Sequence, residues 1–380
     1  MKIIGTLALT MLALVPQAET AGAREPDAGF SVTEWGTFEG RPVHLWTLTN
    51  GNGMRMKVTD YGTIITELWV PDAKGMPVDV VLGRPSLDAY VARTQYFGCT
   101  AGRCANRIAN GRFSIDGKEY RVTCNNGPNS LHGGARGFDK RLWKGKASIK
   151  GDEPEVTFTY ESPDGEEGYP GTCWAKVTYR LTARNELVVD MEATSGAPTP
   201  CNLAHHSYWN LGGHGSGSIL DHELRLFADR YTPVDATLIT TGEILPVEGT
   251  PLDFRLPKAI GKDFAALPAA KDDPGGYDHN FVVRGEPGSI RPCAALRSPK
   301  TGIEMEISSD QPGIQFYSGN FLDGVPGKGD AVYAKNGGLC LETQAFPDSI
   351  NKQGKPGWPD VVLRPGNKYR HSMVHRFSAR

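Results

Sequence analysis

Glu342 lies inside a strongly apolar run, Leu339-Cys340-Leu341-Glu342-Thr343-Gln344-Ala345-Phe346. In extended chain it shares a face with Cys340 and Gln344. Carboxylates are almost never fully buried without a partner or a purpose. Burial lifts a glutamate above its ordinary pKa of ~4.3, towards the range useful to a general base near neutral pH. A buried ion pair with an arginine is the alternative.

A second run, Asn202-Leu203-Ala204-His205-His206-Ser207-Tyr208-Trp209-Asn210-Leu211, carries the complementary groups. Extended backbone would put His206, Tyr208 and Asn210 on one face, and His205, Ser207 and Trp209 on the other. An imidazole, a phenol and an amide at regular spacing, with an aromatic alongside, suit a sugar. Its C–H faces stack on aromatic rings, while its hydroxyls need paired donors and acceptors. Adjacent histidines also suit a metal, but strand alternation points them apart.

Three shorter segments add to these. Gly102-Arg103-Cys104-Ala105-Asn106-Arg107-Ile108 offers a fork of donors to hydroxyl oxygens, or forms a solvated turn. His132, between Leu131 and the pair Gly133-Gly134, sits where backbone can approach a ligand closely, or is a satisfied structural histidine. Asp278 follows Gly275-Gly276-Tyr277 at a loop-to-strand transition.

The elements that must position these groups are strands. Cys173, Ala175, Val177, Tyr179 and Leu181 alternate with Trp174, Lys176, Thr178, Arg180 and Thr182, the pattern of a half-buried strand. Leu187, Val189, Met191 and Ala193 repeat it after a turn, which predicts a hairpin. Similar runs occur at Arg55 to Val70, Glu155 to Tyr160, Glu223 to Phe227, Glu304 to Ser308, Ile314 to Tyr317, Leu339 to Thr343, Val361 to Leu363 and Met373 to Phe377. Helical signals are confined to Ser86–Arg93, with Ser86 as cap, and a turn over Gly261–Leu267. Many strands, 46 glycines and 27 prolines place the chain in the all-β class, a sandwich or barrel.

The 380 residues contain 41 Lys plus Arg against 43 Asp plus Glu, so no electrostatic feature points to nucleic acid as a partner. Lys2, the apolar stretch Ile3 to Val15 and the small residues Ala21-Gly22-Ala23 read as a signal peptide over residues 1–23. That stretch is too short to span a bilayer comfortably. A single domain over residues 24–380, periplasmic or secreted and free of the membrane after cleavage, is expected. Export permits disulfides. Seven cysteines leave at least one unpaired in a monomer, and most are expected to behave as buried small hydrophobes. Cys99 and Cys104 are close enough in sequence to bridge. With no C-x-x-C and no short His/Cys cluster, no zinc site is expected.

Six segments, in order, resemble the aldose 1-epimerase (mutarotase) family. They are ANRI at Ala105–Ile108, LHGG at Leu131–Gly134, HSYWNL at His206–Leu211, YDHNF at Tyr277–Phe281, PGIQFYSGN at Pro312–Asn320 and CLETQAFPDSIN at Cys340–Asn351. The resemblance runs from about Phe30 to the C-terminus. It implies a large antiparallel β-sandwich of the supersandwich, galactose mutarotase-like type. The activity it implies is exchange of the α and β anomers of a free aldohexose such as glucose or galactose, without cofactor or metal. By the same resemblance Glu342 is the catalytic base, His206 the acid and His132 an assisting histidine near the ring oxygen. Asn106, Arg107, Tyr208, Asp278 and Gln315 match positions that hold the sugar hydroxyls. The leader is the main departure, since many relatives are cytoplasmic.

The expected reaction needs little else. Opening a cyclic hemiacetal requires a base for the anomeric hydroxyl proton and an acid for the ring oxygen, and reclosure on the other carbonyl face regenerates both. Three rival readings fit parts of the same sequence. A hexose-6-phosphate epimerase would need cations for the phosphate, with Arg103 and Arg107 as candidates. A sugar-binding module would have no reason to keep both His206 and Glu342. A glycoside hydrolase would use two carboxylates, for which Asp278 and Glu342 are available. The oligomeric state and the preferred aldose are left open.

Overall fold

A computed structural model describes residues 27–92, 95–267 and 274–380. The expected leader lies outside these residues, as does Arg93 at the end of the expected helix. Strands dominate throughout, and every ladder between them is antiparallel. The largest sheet has nine strands. In spatial order they are Lys144–Lys150, Glu153–Ser162, Cys173–Leu181, Glu186–Ser195, Tyr369–Ala379, Ile303–Ser309, Arg291–Arg297, Glu223–Leu226 and Lys258–Ala259. A five-stranded sheet runs Leu245–Pro246, Ala228–Thr232, Asp278–Val283, Gly313–Tyr317 and Cys340–Gln344. Another five-stranded sheet is built in sequence order from Gly29–Phe38 to Pro77–Asp79.

The alternation in the sequence is the alternation of burial. Along Cys173–Leu181 the odd-numbered residues are buried and the even-numbered ones face outward. The strand pairs with Glu186–Ser195 as the expected hairpin. Asn185, held at a φ of 58°, closes the turn, a conformation that asparagine tolerates better than most residues. The run Arg55 to Val70 is two strands, Arg55–Thr59 and Ile65–Pro71, because Gly62 and Thr63 adopt positive φ and turn the chain. The short helix, Leu87–Ala92, is capped by Ser86, whose Oγ accepts from the Ala89 N–H at 3.3 Å. Gly261–Leu267 contains a single 3₁₀ turn, Phe264–Ala266.

One apolar cluster runs from Trp46 to Phe377 and draws on all three large sheets. On the strands Asp278–Val283, Gly313–Tyr317 and Cys340–Gln344, the core face is formed by Phe281, Ile314, Phe316 and Leu341. The opposite face therefore carries Asp278, Gln315, Tyr317, Cys340 and Glu342. A one-residue slip would exchange the two sets, so burial of about 1.5–3 kcal/mol per large apolar side chain fixes the register of the polar face. All seven cysteines are free and six are buried, Cys124 being exposed; Cys99 and Cys104 do not bridge. No helix among the described residues is long and apolar enough to cross a membrane.

Three histidines lie deep in this core. His205, His371 and His375 are at most 2% exposed, and burial holds His371 and His375 at about 4, against 6.5 in the free side chain. Between these values the unfolded chain binds more protons than the folded one. Stability is therefore complete above pH 6.5 and falls as the pH drops towards 4. Calorimetry from pH 7 to pH 5 should show a falling Tm, with a shallower fall in His375→Phe. A Tm independent of pH over that window would contradict the assignment.

Candidate active site

The strand Ala204–His206 pairs with Cys99–Ala101, His206 lying opposite Cys99. Just beyond it, Trp209 and Leu339 exchange backbone hydrogen bonds of 2.7 and 3.0 Å. That clasp sets His206 beside the strand Cys340–Gln344. The imidazole Nε2 is 3.6 Å from Glu342 Oε1, and Nδ1 is 3.6 Å from Cys340 Sγ. Glu342 is 2% exposed and its Oε2 has no hydrogen-bond partner. Among the described residues no Lys or Arg forms an ion pair with it, so the arginine-pair alternative does not hold.

The electrostatics follow from this burial. Glu342 is pushed well above the usual carboxylate range, first by desolvation and then by the Asp278 carboxylate, with the Arg107 cation opposing. Desolvation pulls His206 down to about 4. Each group alone prefers its neutral form. Opposite charges 3.6 Å apart favour the carboxylate–imidazolium form, and the two forms differ by one proton moved between the partners.

His132 and Asn106 hold one another. The His132 N–H donates to the Asn106 carbonyl at 2.9 Å, and the Asn106 N–H donates to His132 Nδ1 at 3.2 Å. Both residues have positive φ, 50° and 56°, a strained conformation that this reciprocal pair maintains. Burial keeps His132 well below its ordinary pKa, with His206 adding to the effect. With Nδ1 accepting, the proton of neutral His132 resides on Nε2. The ligand atoms of His132, His206 and Glu342 lie within 4.8 Å of one another, a donor set that would also suit zinc. A ring nitrogen that carries a proton is not a ligand, so the arrangement favours proton chemistry at this cluster.

These groups line a cleft of about 880 Å³. Its walls include Asn106, Arg107, His132, His206, Tyr208, Asp278 and Glu342. Gln315 lies behind that wall, opposite Glu342 in the ladder, and donates from Nε2 to Asp278 Oδ1 at 2.6 Å. Arg107 donates from Nε to Asn126 Oδ1 at 3.1 Å, and its Nη1 is 3.9 Å from Asp278 Oδ2. Asp278 is thus braced on both oxygens.

Several neighbours differ from their sequence reading. Asn210 does not reach the cleft: its Nδ2 donates to the Gly217 and Gly337 carbonyls at 2.8 and 2.9 Å, because the strand ends at His206. Trp209 packs in the core against His375 and supplies no sugar platform. Arg103 is 1% exposed and turned inward, donating to the Pro170 and Gly171 carbonyls and to Thr199 Oγ1. It is unavailable to a phosphate. Gly133 and Gly134 are needed for packing against protein: a Cβ on either would overlap the Gly102 carbonyl or the Glu167 carboxylate. The aromatic wall comes instead from Tyr96, Tyr208, Tyr317 and Phe321. Tyr317 was accessible to alternation counted from Gln315, whereas Tyr96 sits in a loop with no periodic signal. Tyr96 packs on both imidazoles, with ring centroids 4.5 Å from His132 and 5.7 Å from His206.

Comparison with known proteins agrees with this geometry. Residues 44–376 match the aldose 1-epimerase family. Human galactose mutarotase is 47% identical over 326 residues, 86% of this chain and 91% of that protein. The aldose 1-epimerase of Escherichia coli K12 is 37% identical over 346 residues, 90% of this chain and 97% of that protein. Among solved structures, a GalM/aldose epimerase homologue from C. elegans superposes with a TM-score of 0.77 at 34% identity, covering 86% of this chain and 96% of that one. A galactose 1-epimerase from Lactobacillus acidophilus gives 0.80 at 26% identity, covering 93% and 99%. With the fold, the cleft and these matches in agreement, the chain belongs to the aldose 1-epimerase family.

Proposed function

We propose that the protein interconverts the α and β anomers of free aldohexoses such as glucose and galactose. The observation that carries this reading is the buried Glu342 carboxyl on the cleft wall, with Oε2 unpaired and Oε1 beside the His206 imidazole. Glu342 as carboxylate takes the anomeric hydroxyl proton while His206 as imidazolium protonates the departing ring oxygen. Rotation about C1–C2 presents the other carbonyl face, and the same groups then act in reverse. His132, whose Nδ1 is occupied, offers Nε2–H to the ring oxygen as a hydrogen-bond donor. Asn106, Arg107, Tyr208 and Asp278 hold the remaining hydroxyls, and Gln315 braces Asp278.

Polarimetry on freshly dissolved α-D-glucose and α-D-galactose tests this directly, with a p-nitrophenyl galactoside assayed in parallel. Faster decay to the equilibrium rotation and no glycoside cleavage are expected. Unchanged decay would end the proposal, and glycoside cleavage would favour a hydrolase.

Asp278→Asn should weaken sugar binding and also alter the pH profile. The Asp278 charge helps raise Glu342. Its removal lets Glu342 ionise at lower pH, so the acid limb of kcat/KM should move to lower pH while KM rises. An acid limb that stays in place would refute the coupling. The proposed exported location has its own test: N-terminal sequencing of the exported protein should begin at about Arg24, and an intact Met1 would overturn it.

A further inference from the structure

We propose that Cys340 is a positioning residue for His206, its sulfur accepting the Nδ1–H and so reserving Nε2 as the nitrogen that exchanges the proton. The inference rests on the acid–base reading above and adds a residue to it. Cys340 and Glu342 are two apart on one strand and project from the same face. The first meets His206 at Nδ1 and the second at Nε2, each at 3.6 Å. One imidazole is therefore spanned by consecutive same-face residues of a single strand, whose register is fixed by Leu341 in the core behind.

The nature of the group at Nδ1 matters. A carboxylate there would stabilise the imidazolium and oppose release of its proton. A backbone N–H there would leave the neutral ring with its proton on Nε2, as occurs in the neighbouring His132. Sulfur is a weak acceptor, enough to choose a tautomer without adding a full charge. Cys340 is 0% exposed, and burial with nearby Glu342 and Asp278 keeps its thiol well above the ordinary range, so it remains uncharged. In both protonation states of His206, Nδ1–H points to sulfur and only Nε2 gains or loses a proton.

The test compares wild type, Cys340→Val and Cys340→Ser in mutarotation of α-D-galactose from pH 4.5 to 9. Valine keeps the size and apolar character but offers no acceptor. We expect kcat to fall at least ~10-fold with KM within twofold, because the tautomer enters the chemical step and not sugar binding. Serine restores an acceptor and should recover part of the loss. It should also displace the pH limb that reports His206, which a purely structural cysteine would not do. Full activity and an unchanged pH profile in Cys340→Val would overturn the proposal. If the valine variant fails to fold by circular dichroism, the serine variant decides: an unaltered limb overturns the proposal and a displaced one supports it. An inactive wild type would instead refute the anomer-exchange reading itself, so the two failures are distinguishable.

Discussion

Glu342→Gln should lower the catalysed mutarotation rate at least ~10²-fold while leaving KM within a few fold. Glutamine keeps the shape of the side chain and loses only the ability to accept a proton. A factor of 10² corresponds to about 2.7 kcal/mol of transition-state stabilisation, a modest demand on one positioned base. The same substitution separates catalysis from architecture. A glutamate serving a buried ion pair would cost about 3–5 kcal/mol on removal, because its partner would be left uncompensated. Here the carboxyl has one oxygen unpaired and, among the described residues, no Lys or Arg in contact, and its neighbour His206 reverts to the neutral form that its burial favours, so Tm should hold or rise. Loss of rate together with a large fall in Tm would point back to a structural role.

His206→Asn should produce a loss of similar size, again ~10²-fold or more. Asparagine retains a polar head but cannot deliver a proton to a departing ring oxygen. Ring opening requires both transfers, so the groups act as a unit. The double variant Glu342→Gln/His206→Asn should then be little slower than either single one. Multiplied losses would mean that the residues serve separate steps. Stopped-flow polarimetry on the purified variants distinguishes these outcomes, with circular dichroism to confirm the fold.

The sequence was most legible where one physical rule acted alone. Strict alternation located Cys173–Leu181 because one face is core and the other solvent. It also placed Glu342 on a polar face, since Leu341 and Phe316 have to point the other way. It misled at Asn210, where extended backbone was extrapolated past His206 although the strand ends there, and the Gly217 and Gly337 carbonyls claim the amide. Arg103 failed for a different reason. A guanidinium reads the same in sequence whether it faces a ligand or satisfies two carbonyls and a hydroxyl from distant segments. Long-range packing decides that, and no local pattern encodes it. The site's ordered motifs were legible as a family resemblance, but the contact between His206 and Cys340 depends on two strands far apart in the chain.

In the proposed mechanism Glu342 and His206 together pass protons to and from the anomeric hydroxyl and the ring oxygen. Two-dimensional exchange NMR on D-galactose at anomeric equilibrium tests it without any net reaction. Cross-peaks between the α and β H1 signals should grow with wild-type concentration and vanish with Glu342→Gln or His206→Asn. Exchange undiminished in either variant would contradict it.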